Sequence, residues 1–260
     1  MKLKLLYLKD EIANMYTNGI NIPNIAKHFN CYPQAVENVL KHLNLYKSYR
    51  PDQGNTRYFE NINSEIKAYF VGFIAADGCV QSNGKNSYGL TITLHEKDRI
   101  VLDKLREEIG SEKPLMLIPS KNHIRFTLFN KDLYNDLNNL GIIPKKSLII
   151  GDVIKNIPEE YRHSFVLGYF DGDGSVVLPK HPKKPNINTK RICIFIRGTE
   201  ALLSGIAQEL NLEQYMLKSY DSTYTLRFSK KSEIIKFFNL YTKNKFFLYR
   251  KYEKFLQRIN

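Results

Sequence analysis

The sequence predicts an α+β chain: two copies of a helix–strand–strand–helix–strand–strand–helix unit, preceded by a small all-helical segment. Three observations carry this reading. Residues 8–47 show helical spacing and no strand signal. From residue 65 the same order of elements runs twice, and each copy opens on an apolar helix that ends in Asp-Gly. The strand candidates alternate, as where Leu90, Ile92 and Leu94 interleave with Thr91 and Thr93. The expected domains are residues 1–50, a polar linker at 51–64, a first repeat at 65–155 and a second at 156–260.

In the N-terminal segment, Asp10–Thr17 reads as a helix stopped by Asn18-Gly19. Pro23–Phe29 is a second helix, with proline in its first turn where the missing N–H is harmless. Asn30 offers the left-handed conformation a tight turn needs, and a third helix follows to Leu43. Ile22, Ile25, Phe29, Val36, Val39 and Leu40 supply the shared apolar face. The pattern resembles a helix-turn-helix, with Gln34–Leu43 as recognition helix and Gln34, Asn38 and Lys41 as its DNA-facing candidates. Residues 48–64, polar with Pro51 and Gly54, read as the linker.

The first repeat is read as a helix at Glu65–Ala76, strands at Cys79–Ser82 and Tyr88–His95, and a helix at Asp98–Ile109 stopped by Gly110. A hairpin of Leu115–Ile118 and His123–Phe129 follows, then a helix at Lys131–Leu140. The second repeat has a helix at Arg162–Gly172, strands at Ser175–Leu178 and Arg191–Arg197 around a basic loop at Lys180–Lys190, and a helix at Glu200–Leu210. Strands at Gln214–Ser219 and Tyr224–Phe228 follow, then a helix at Ser232–Tyr241 and a basic helical tail at Phe246–Ile259.

Composition narrows the function classes. A hydrophobic fraction of 43% supports a real core. No apolar stretch approaches the roughly 20 residues that span a bilayer, and the N-terminus does not read as a signal peptide. Cys31, Cys79 and Cys193 are too scattered for a disulfide scaffold or a structural zinc site. These features point to a soluble, intracellular protein, cytoplasmic and beside the nucleoid, with an organellar origin left open. The formal charge of +13 suits a polyanionic partner.

The chemistry gathers at the ends of the two apolar helices, FVGFIAADG at 70–78 and VLGYFDGDG at 166–174. Each places an acid in the last turn, where the helix dipole favours a cation. The same wrong sign at matching places suggests that a bound cation offsets it. Gly72 and Ala76, like Gly168 and Gly172, put small residues on one helix face, so the two helices can pack closely. Asp77 and Asp173 would then lie side by side, and two such carboxylates repel unless a cation separates them. Hard oxygen ligands favour magnesium or another divalent cation. An EF-hand is excluded, because the loop opening at Asp171 would carry Val176 and Pro182 where it needs glycine and glutamate.

These two stretches resemble the paired motifs of LAGLIDADG homing endonucleases, and the similarity covers residues 58–260. The resemblance implies that the two motif helices form the interface and the sheets make a saddle on DNA. It implies Asp77 and Asp173 as catalytic, metal-binding acids, with Ala76 and Gly172 offering backbone carbonyls. The sixth motif position, often acidic, is Ala75 in one copy and Asp171 in the other. A basic residue near each site is also implied. LGIIPKKS supplies Lys146, with Lys145 as its alternate, and LYTKNKFF supplies Lys245, with Lys243 as its alternate. The implied reaction is metal-assisted phosphodiester hydrolysis at two active sites, giving a double-strand break across the minor groove with 3′ overhangs.

DNA reading is expected from Gln81, Asn83, Thr91, Thr93, His95, Arg125 and Thr127 in the first copy. In the second it falls to Lys190, Arg191, Arg197, Lys218, Tyr224 and Arg227. Two unequal repeats in one chain imply a monomer with an internal pseudo-dimer and a long, asymmetric double-stranded target. The alternatives are a nuclease-inactive DNA-binding regulator and an RNA-binding intron maturase. An intein is disfavoured, since no histidine precedes the terminal Asn260, so a free-standing or intron-encoded enzyme is expected.

Overall fold

The computed structural model describes residues 7–18, 20–46, 52–82, 87–178, 180–181, 184–188, 192–220 and 223–259. It divides into two compact units, residues 1–50 and 51–260.

The first unit holds three helices: α1 (Lys9–Thr17), α2 (Ile22–His28) and α3 (Pro33–His42). Asn21 caps α2 by accepting from the Asn24 amide, and Asn30 takes the left-handed conformation the α2–α3 turn requires (φ 48°). Ile12, Ile25, Ala26, Val36, Val39 and Leu40 form its core. Gln34, Asn38 and Lys41 share the exposed side of α3, where Lys41 pairs with Glu37 at 3.6 Å.

In the second unit the first repeat runs α4 (Glu65–Asp77), β1 (Gly78–Ser82), β2 (Tyr88–His95), α5 (Arg99–Ile109), β3 (Met116–Ile118), β4 (His123–Leu128) and α6 (Lys131–Asn139). The second runs α7 (Arg162–Asp173), β5 (Gly174–Val177), β6 (Lys180–His181), β7 (Lys184–Asn188), β8 (Cys193–Gly198), α8 (Glu200–Glu209), β9 (Met216–Tyr220), β10 (Thr223–Phe228), α9 (Lys231–Lys243) and α10 (Tyr249–Ile259). Each repeat builds a four-stranded antiparallel sheet with matching strand order, β1-β2-β4-β3 and β5-β8-β10-β9. The registers match as well: Gly78 pairs with Ile92, and Gly174 with Ile196. The expected αββαββα repeat is therefore present twice.

Three details differ from the sequence reading. Residues 51–64 are not a free linker. Tyr58, Phe59 and Ile62 are buried in the main core, and Gln53 exchanges hydrogen bonds with the Phe129 backbone. Apolar burial outweighs the polar composition of the segment. The basic loop at 180–190 contains the hairpin β6–β7, with Lys180 opposite Asn188. The C-terminal tail becomes helical only at Tyr249, after the Leu248 amide has been taken by the Asp171 carboxylate.

Helices α4 and α7 are apolar on nearly all sides because they are buried on all sides, against each other and under both sheets. Their contact is as close as backbones permit. A Cβ on Gly168 would lie 1.9 Å from the Tyr69 carbonyl oxygen, and one on Gly72 would lie 2.1 Å from that of Phe165. Among the described residues no helix is long and apolar enough to cross a membrane.

Candidate active site

Close packing of α4 on α7 brings their C-terminal ends together. Asp77 and Asp173 close the two helices, and both side chains reach solvent. A Cβ on Gly172 would lie 3.3 Å from Asp77 Oδ2, so the Asp77 carboxylate borders the opposite motif helix. The neighbouring protein removes enough water to raise the Asp77 pKa to about 6, and the negative charge of Asp173 adds to the shift. Asp173 is also raised by lost hydration, opposed by Lys146, Lys251 and a hydrogen bond with Tyr169. A pair of acids held at this cost has the right chemistry for a hard divalent cation.

The sign of this shift gives a first expected outcome. Folded Asp77 holds its proton more tightly than an ordinary carboxyl, so metal-free stability falls as pH rises from about 4 through 6. In Asp77→Asn that loss disappears. Metal-free Asp77→Asn should melt above the wild type at pH 7.5, and the gap should narrow markedly by pH 4.5. Melting curves in a chelator test it, and an unchanged gap across that range would contradict the coupling.

Each acid has a buried lysine beside it. Lys146 opens a 3-10 turn, and its Nζ donates to the Ala76 carbonyl at 3.0 Å. Burial lowers its pKa, opposed by the charges of Asp173 and Asp77. Its neighbour Lys145 takes a left-handed conformation (φ 57°) and is exposed, which turns one lysine of the pair inward and the other outward. In the second repeat the corresponding place is held by Lys251, not Lys245. The Lys251 ammonium donates to the carbonyls of Phe170, Asp171 and Gly174, each at 2.7 Å, and of Gly172 at 3.4 Å. Burial lowers its pKa to about 8. Lys245 is exposed and lines a depression with Ser64, Glu65 and Tyr161, at the opposite end of α4 from Asp77; Lys243 is exposed too.

The helix spacing held the missed signal: Leu248, Lys251 and Phe255 recur at three and four residues, so Lys251 interrupts an apolar stripe. The Ala76 and Gly172 carbonyls expected to face a metal accept from these lysines. A carbonyl has two lone pairs, so each retains one.

The open sheet faces follow the two-residue period. Leu90, Ile92, Leu94, Ile124, Phe126 and Leu128 turn to the core. Gln81, Thr91, Thr93, His95, Arg125 and Thr127 therefore lie on the other side. Arg125 is steered by its Nε donating to Thr93 Oγ1 at 3.2 Å. In the second repeat Arg197, Lys218 and Arg227 are exposed on the open face, with the Arg227 guanidinium over the Phe195 ring. Tyr224 is not on that face. Leu226 and Phe228 are buried, so the same parity turns Tyr224 toward the helix layer, where it hydrogen-bonds Glu200. Thr225, paired with Arg197 and Lys218, takes the open position instead. Asn83, Lys190 and Arg191 lie outside the described residues.

Comparison with known proteins places this architecture. No family model matches the chain. It is similar to a probable intron-encoded endonuclease 4 of Neurospora crassa, 22% identical over an alignment of 207 residues that covers 68% of this chain and 37% of that protein. It is also similar to a DNA polymerase of Thermococcus hydrothermalis, 28% identical over 158 residues, 60% of this chain and 8% of the polymerase. The chain thus spans well under half the length of these relatives. Among solved structures it resembles the LAGLIDADG meganuclease I-AabMI bound to uncleaved DNA (TM-score 0.52, 16% identity, 74% of this chain and 88% of that one). It resembles I-SmaMI bound to an uncleaved DNA target in the presence of calcium ions (TM-score 0.52, 14% identity, 74% and 88%).

Proposed function

From the LAGLIDADG meganuclease fold that the chain shares, we propose a site-specific double-strand DNA endonuclease acting as a monomer on a long, asymmetric target. The observation that carries it is the pair of solvent-reaching acids, Asp77 and Asp173, at adjoining helix ends with a buried lysine beside each. Both acids are retained, which favours a nuclease over an inactive DNA-binding regulator.

Asp77 and Asp173 would hold magnesium or another divalent cation, which when bound supplies water activation and charge neutralisation at the scissile phosphate. Lys146 and Lys251, fixed by carbonyls, offset charge growing on the phosphoryl oxygens. The open sheet faces carry Arg125, Arg197 and Arg227 to base edges, where a guanidinium donates two hydrogen bonds to one guanine. The test is incubation of the protein and magnesium with a randomised target library, followed by sequencing of the ends. One recovered sequence, cut on both strands to leave 3′ overhangs, is expected. Binding without cleavage would favour the regulator.

Residues 1–50 act as a tethered second DNA module, raising affinity through effective concentration. Their three helices have their own core, and both acids and both lysines lie outside them. The 51–260 fragment should therefore stay folded and cut, with a shorter footprint and a shallower salt dependence of binding. An identical footprint and salt slope would remove the DNA-binding role.

A further inference from the structure

Asp171 occupies the sixth motif position, two residues before Asp173, yet it is 2% exposed and closed to solvent where Asp173 is open to it. Its Oδ2 accepts from the Tyr69 hydroxyl of α4 at 2.8 Å and from the Leu248 amide at 2.7 Å. Leu248 is the residue just before α10, and its carbonyl accepts from the Lys251 amide at 3.0 Å. One carboxylate oxygen thus joins the first repeat's motif helix, its own motif helix and the start of the helix that carries Lys251. Arg250 adds a second tie, donating to both oxygens of Asp98 at the start of α5. Among the described residues the first repeat has no such arrangement: Ala75 stands at the sixth motif position, and Lys146 is seated in a 3-10 turn against the Ala76 carbonyl.

We propose that Asp171 is a positioning residue: it fixes the start of α10 so that the Lys251 ammonium stands at the end of the second motif helix. This inference rests on the endonuclease reading. Cleavage of one DNA strand then depends on Asp171, while cleavage of the other, served by Lys146, does not. A displacement of about 1 Å at a reacting group lowers rates by roughly 100-fold, so the two strands separate in time when this anchor is lost.

The experiment uses the full-length protein, magnesium and the target recovered from the library, with each strand labelled separately. Wild type, Asp171→Ala, Asp171→Asn and Tyr69→Phe are compared, alongside melting and DNA binding. In Asp171→Ala one strand should be cut about 10- to 100-fold more slowly than the other, with nicked DNA accumulating and binding retained. Asp171→Asn keeps an acceptor oxygen and should restore near-equal cutting. Tyr69→Phe, which leaves the Leu248 bond, should show a smaller bias on the same strand and tests the link even if Asp171→Ala does not fold. Equal slowing of both strands, no change, or an Asn variant as biased as the Ala variant would overturn the proposal. A wild type that cuts no DNA overturns the endonuclease reading, and this proposal with it.

Discussion

Gly168→Ala is expected to destabilise the protein by about 3 kcal/mol, the upper end of what overpacking typically costs, because the added methyl meets rigid backbone. For a chain of this size that lowers the melting temperature by about 6–12 °C. The added methyl would fall 1.9 Å from the Tyr69 carbonyl oxygen, and backbone on both sides cannot rotate away as a side chain does. Gly72→Ala meets the Phe165 carbonyl at 2.1 Å and should behave alike. Gly151→Ala, with nothing within 4 Å of its Cβ, is the control and should leave stability unchanged. The variants separate two causes of lost activity, since motif helices pushed apart would also part the two acids. Equal melting temperatures for all three would mean that the helix contact does not hold the fold.

Asp77→Asn and Asp173→Asn are each expected to reduce magnesium-dependent double-strand cleavage at least about a hundredfold, the scale of losing a preorganised electrostatic partner of the reaction. The fold should survive, because both carboxylates reach solvent and neither fills the core. DNA binding should persist or tighten, since a negative charge is removed from the face proposed to meet phosphates. Gel-shift affinity and single-turnover cleavage on the same target separate these effects. Wild-type cleavage by either variant would show that the acid in question has another role.

Most of this arrangement was legible in the sequence, and the exceptions have physical reasons. The repeat, the close helix faces at Gly72 and Gly168, and the adjoining acids follow from local patterns. A buried all-apolar helix, a small residue every fourth position and a wrong-sign terminus each leave a trace in one short stretch. The inward turn of Lys146 rather than Lys145 depends on one left-handed residue, which composition does not show. Lys251 sits in a lysine- and arginine-rich tail, where charge alone does not distinguish solvent from interior; only its place on the Leu248–Phe255 stripe does. Tyr224 was misplaced although Leu226 and Phe228 set the parity of its strand. The 51–64 segment joins the core through Tyr58, Phe59 and Ile62, three apolar side chains in a polar run whose partners are distant in sequence.

The proposed arrangement brings one acid from each repeat together at the adjoining ends of α4 and α7, in paired metal-dependent active sites, one for each strand. It is tested most directly by strand-resolved cleavage of the recovered target, with and without magnesium, by wild type and by Asp77→Asn, Asp173→Asn and the double variant. Magnesium-dependent cuts on both strands by the wild type, and no double-strand break from any of the three variants, are the expected result. Undiminished breaks from the double variant, or wild-type breaks that persist in a chelator, would contradict it.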